Sequence, residues 1–185
     1  MRSSFVFLVV VLFLGGCSPM GKIQVSYDTI RDMTIADFHT SYESVEIQSC
    51  EGCEDPYTLE VWYVREFDGG DPRPVEMTIW VEDAQLDGAE FQNQGFMRIG
   101  VKPYRLDMRT LEGEDRAQIG KRKGQGTGGM LAFTPELEVG VLRAQKITLR
   151  VIAGQQPLTI QLEGESLRQL REFIETVPLH KSQRM

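Results

Sequence analysis

Alternation of apolar and polar residues at period two constrains this chain more than any other feature. Ile147, Leu149 and Val151 alternate with Thr148 and Arg150, and Leu158, Ile160 and Leu162 alternate with Thr159 and Gln161. Extended backbone sends successive side chains to opposite sides, so such segments bury one face only by pairing into a sheet. Further short β segments read as KIQVSYDT, SVEIQS, YTLEVWYVR, VEMTIWVE, FMRIGV, YRLDMRT and MLAFTPELEVGVL. The last element changes period. Leu167, Leu170, Ile174 and Val177 recur at helical spacing, with Arg168, Arg171, Glu172 and Glu175 opposite them. Ser166 with Gln169 three residues later has the pattern of a capping box, and Pro178 stops the helix. The expected fold is mainly β, an antiparallel sandwich or strongly curved sheet, with one C-terminal amphipathic helix over an edge or open end.

At the N-terminus, Arg2 precedes ten uninterrupted apolar residues, Phe5 to Leu14. That is the layout of a secretory signal, and it is far short of the roughly 20 residues a membrane-spanning helix needs. Leu14, Gly15, Gly16 and Cys17 then resemble the lipobox of bacterial lipoproteins, in which the cysteine is lipidated and becomes the new N-terminus. The resemblance implies a diacylglycerol on the Cys17 sulfur, and often a third chain on its amine. Two or more chains give stable anchoring, at about 0.8 kcal/mol per buried methylene. Ser18 is not the aspartate that resembles an inner-membrane retention mark, which favours the outer membrane, facing the periplasm.

The expected organisation is a signal peptide over 1–16, a lipidated cysteine and short tether over 17–22, one β-rich domain over 23–178 and a tail over 179–185. Losing 16 of 185 residues leaves 169, enough for one domain with a sizeable core. Arg2 leaves with the signal, so 19 bases face 27 acids and the net charge is −8. Such a surface has no general attraction for nucleic acid or anionic lipid. With Cys17 acylated, Cys50 and Cys53 remain as a pair, and an oxidising envelope favours a disulfide between them.

Several constellations carry possible chemistry. Cys50 and Cys53 read first as a structural disulfide across a hairpin loop. A redox dithiol would want a helix N-terminus, and Glu51 and Glu54 would raise a thiol pKa. A metal site would need more ligands. His39, in the polar stretch DFHTSY, could approach the cysteines only if its segment pairs with that hairpin, and His180 is in the tail. Leu111 to Gly129 reads as a long glycine-rich loop, with Lys121, Arg122 and Lys123 as a possible contact for anionic groups. Within it, GQGTGG has the letters of a dinucleotide motif, but the residues after it read as a strand and not as a helix. Ser166 after a strand only superficially resembles a nucleophile elbow. Glu136 and Glu138, two apart on an expected strand, would share a solvated face, and DGGDP (68–72) reads as a turn. Tyr57, Trp62, Tyr63 and Trp80 are expected to divide between core and rim.

The reading that results is a membrane-anchored envelope lipoprotein acting as a binding or accessory module for another envelope component. Its expected partners are the membrane, through lipid on Cys17, and another envelope protein. No catalytic residue, cofactor or metal is assigned. The alternative is an envelope enzyme, either a thiol oxidoreductase using Cys50 and Cys53 or a carboxylate-dependent hydrolase.

Overall fold

The structure is a computed structural model that describes residues 20–45, 57–83, 86 and 89–177. Residues 1–19 with Cys17, 46–56 with Cys50 and Cys53, 84, 85, 87, 88 and 178–185 with His180 lie outside the described residues. Along the chain run β1 (Ile23–Asp28), β2 (Met33–Glu43), β3 (Thr58–Asp68), β4 (Asp71–Pro72), β5 (Glu76–Glu82), β6 (Gln94–Ile99), β7 (Lys102–Asp107) and β8 (Arg109–Thr110). They are followed by α1 (Gly113–Lys123), β9 (Gly126–Ala132), α2 (Pro135–Arg143), β10 (Lys146–Ala153), β11 (Gln156–Glu163) and α3 (Gly164–Ile174).

All strand pairs are antiparallel, in a larger sheet ordered β1-β2-β3-β5-β9-β8, with β4 beside β3, and a four-stranded sheet ordered β11-β10-β6-β7. The alternation read from the sequence sets which face is buried. Leu59, Val61 and Tyr63 of β3 and Met77, Ile79 and Val81 of β5 share one core with Ile147, Leu149 and Val151 of β10 and Leu158, Ile160 and Leu162 of β11. α3 closes the side of this core where it meets β2, β10 and β11. It inserts Leu167, Leu170, Phe173 and Ile174, and Phe173 stacks at 6.1 Å on Phe38 and lies tilted against Tyr63 at 6.0 Å. The mainly β, two-sheet architecture with an amphipathic C-terminal helix is therefore the one expected from the pattern.

Four local expectations are corrected. The stretch 111–129 is not a structureless loop, because it contains helix α1 and the first part of β9. MLAFTPELEVGVL is not one strand, because β9 ends at Ala132 and α2 begins at Pro135, capped by Thr134 Oγ1 accepting the Leu137 N–H at 3.2 Å. Leu137 and Val141, four apart, are buried, while Val139 between them is 46% exposed. The apparent alternation of 137, 139 and 141 concealed a helical stripe. Ser166 is not the first cap of α3. It is the third helical residue, and its Oγ accepts the Glu163 N–H at 3.2 Å. Finally, DFHTSY lies inside an eleven-residue strand, β2, which pairs along its whole length with β3.

Candidate functional site

The most concentrated polar grouping lies on the outer face of the larger sheet. In the β2–β3 register His39 is opposite Trp62, and Glu60 is two residues from Trp62 on the same face. His39 and Trp62 stack with centroids 4.7 Å apart and planes 4° from parallel. His39 Nε2 is 2.5 Å from Glu60 Oε2, and the same oxygen takes Lys123 Nζ from the end of α1 at 3.2 Å. A carboxylate this far from water, on a residue 9% exposed, requires compensating donors, and the imidazole and ammonium supply them. With one ring face covered by Trp62 and Nε2 engaged, His39 is 8% exposed, so the cluster ties β2, β3 and α1 together. His39 thus turns to Glu60. The pairing joins residues 21 apart in sequence through strand register alone.

The Cys50–Cys53 segment connects two strands that are direct partners. At its base the Ser44 N–H donates to Tyr57 O at 2.7 Å, and Ser44 Oγ accepts the Tyr57 N–H at 2.8 Å. The cysteines themselves lie outside the described residues. At the same side of the sheet the Gly21 N–H donates to His39 O at 2.8 Å, so the chain enters the fold beside the polar cluster.

The basic triplet falls within the last turn of α1. Lys123 is committed to Glu60, while the side chains of Lys121 and Arg122 lie outside the described part of the structure. α1 lies over Trp80, whose indole is buried against β9. That contact accounts for two glycines of GQGTGG, while Gly129 packs against Phe91 and Gly124 has φ 89°. A Cβ at Gly128 would come 2.9 Å from the indole and 2.8 Å from Ile79 O, and one at Gly126 would come 3.1 Å from the indole. These glycines make a flat bed for a tryptophan. No phosphate is needed to account for them. An open groove of about 530 Å³ beside α1 is lined by Trp80, Gly113, Arg116, Ala117, Gly120 and Gln125.

Glu136 and Glu138 do not share a strand face. In α2, Glu136 is exposed and pairs with Lys102 at 2.5 Å, whereas Glu138 turns inward to Arg65 and accepts the Val75 N–H at 3.0 Å. Arg65 also donates to Arg73 O at 3.1 Å and Ile174 O at 2.5 Å, so one guanidinium joins β3, α2 and the end of α3. DGGDP forms the β3–β4 turn, with Gly69 at φ 60° and Gly70 at φ 109°, conformations that favour glycine. Tyr63 and Trp80 are buried, and Tyr57 and Trp62 are half-buried. A groove of about 960 Å³ between β8 and residues 90–93 has Glu90 and Glu112 on its wall, both exposed. Among the described residues no group of three or more His, Cys, Asp or Glu side chains is placed to hold a metal.

Sequence periodicity did not single out a surface on the opposite side of the molecule. On the outer face of the four-stranded sheet, Phe96 is 49% exposed, and Arg98, Arg105 and Arg150 around it are all exposed. The fold and these surfaces define a two-sheet antiparallel β protein with helices at its margins. No family model, curated protein or solved structure matches the chain.

Proposed function

We propose that this protein is a lipid-anchored lipoprotein of the bacterial cell envelope, held through Cys17 and working as a binding or accessory module for another envelope component. The outer membrane, facing the periplasm, is its favoured location. The observation that carries this reading is the entry of the chain into the fold. The Gly21 N–H is bonded to His39 O only four residues after Cys17. Four extended residues span about 14 Å, so an anchored Cys17 keeps the β domain at the membrane surface. Burial of His39 and Glu60 and the pairing of Glu60 with both His39 and Lys123 support a binding role over chemistry, since the groups best suited to proton transfer are spent on holding β2, β3 and α1 together.

Reversible crosslinking of the full-length protein in intact cells, with a Cys17→Ser control, tests the proposal. One envelope protein recovered at near-equal amount, and lost with the anchor, is the expected result. Recovery of no enriched protein partner would overturn the accessory-subunit reading and turn the search to small ligands, wall polymer or catalysis.

A further inference from the structure

We propose that the outer face of the four-stranded sheet is a docking surface for an anionic phospholipid bilayer. In the register of this sheet Arg105, Phe96 and Arg150 form one row across β7, β6 and β10, and Arg98 is two residues from Phe96 on the same face. Adjacent strands are about 4.8 Å apart, so the two flanking arginines stand about 10 Å from one another with the phenyl ring between them. The side chains of Arg98, Arg105 and Arg150 have no hydrogen bond or ion pair with a described residue, although the chain carries a net charge of −7. The other charged residues of the face are Lys146 and Glu163, paired with each other at 3.4 Å, and Asp107 at the end of β7. The face is therefore locally cationic on an acidic body.

Composition favours a bilayer over a shaped partner. On the exposed part of this face an aromatic ring is flanked by guanidinium groups, while Thr159 at the β11 end of the same row is buried. A membrane interface accepts that combination, with the ring at the headgroup–acyl boundary and the cations at the phosphates. The inference rests on the lipid anchor for its geometry. A tether of about 14 Å is longer than the roughly 10 Å between stacked sheets, so a chain leaving the larger sheet can bring Cys17 level with the smaller one. Repulsion of the acidic remainder from an anionic surface reinforces the same orientation. Docking in this pose turns the α1 side of the larger sheet away from the membrane, towards a partner.

The test uses the full lipidated protein carrying Phe96→Trp, reconstituted in nanodiscs of brominated phosphatidylcholine with or without phosphatidylglycerol. The tryptophan emission added over the parent protein is the readout. Quenching is expected only in the phosphatidylglycerol discs, and it should disappear at 1 M salt, where the Debye length falls to about 3 Å. Each arginine changed to glutamine should lower the docked-to-undocked ratio about fivefold, and Arg98→Gln, Arg105→Gln and Arg150→Gln together on the order of a hundredfold. The salt titration needs no arginine variant, so a misfolded triple variant leaves the test intact. Protein that enters the discs with acylated Cys17 but is unquenched, or equally quenched without phosphatidylglycerol, overturns the docking while leaving the anchor standing. Equal quenching at low and high salt does the same. Protein without acyl mass on Cys17 that stays outside the discs overturns the anchor and the docking together.

Discussion

Two glycines on opposite sides of Trp80 give a sharp test of how the sheet accommodates this indole. Gly128 lies beneath the ring in β9, where a Cβ would sit 2.6 Å from the Leu111 side chain, 2.8 Å from the Ile79 carbonyl oxygen and 2.9 Å from the indole. The carbonyl belongs to the neighbouring strand and cannot rotate away, so relief requires β5 and β9 to separate locally. Overpacking of this kind costs about 1–3 kcal/mol, and the backbone contact places Gly128→Ala near the upper end, about 2–3 kcal/mol. Gly120 lies above the same ring in α1, where a Cβ would meet the indole edge at 3.9 Å, an ordinary contact. Replacing a helical glycine by alanine there should gain about 0.5–1 kcal/mol. Urea unfolding of the two variants should therefore give opposite shifts in midpoint with unchanged slopes. Equal or same-signed shifts would refute the account of the glycine-rich segment as a bed for Trp80.

Buried groups give two more predictions. Arg65→Met removes the guanidinium that Glu138 faces and should cost about 3 kcal/mol, because an ion pair broken in the interior leaves a charge uncompensated. Adding Glu138→Gln should recover part of the loss in the same unfolding assay, and a further loss would contradict the pairing. Burial pushes the Tyr42 phenol up to about 12, and Tyr63 is also raised, so both stay neutral in the fold at a pH where an unfolded tyrosine ionises. Their contribution is complete below about pH 10, the unfolded value, and is lost as pH rises from there through the folded pKa. Stability should fall between pH 10 and 12 by up to about 1.4 kcal/mol per unit for each phenol. Tyr42→Phe should show a shallower decline, and an identical pH profile would count against the buried tyrosine pair.

How far the fold could be read in advance depended on whether a residue's partner was local. In β10 and β11 the in–out alternation of Ile147 to Val151 and Leu158 to Leu162 is written in consecutive residues, because one face meets a core and the other does not. α3 was legible for the same reason, since its buried stripe repeats within eleven residues. α1 was not, because it presents small and charged residues and is held by features remote in sequence: the Trp80 ring and the carboxylate of Glu60. α2 was misread because Val139 completes a false alternation, although Thr134 followed by Pro135 and Glu136 was an available N-terminal signature.

The candidate surfaces divide in the same way. Lipobox and signal patterns are contiguous chemistry, so residues 1–17 by themselves determined the expectation of export and anchoring, as the strand periodicity determined a β fold. Which side chains meet was decided only in three dimensions. His39 finds Glu60, Arg65 finds Glu138, and three arginines from β6, β7 and β10 gather around Phe96, because antiparallel register aligns positions tens of residues apart. That register is set by burying every apolar face at once, a global condition that no local window of sequence contains.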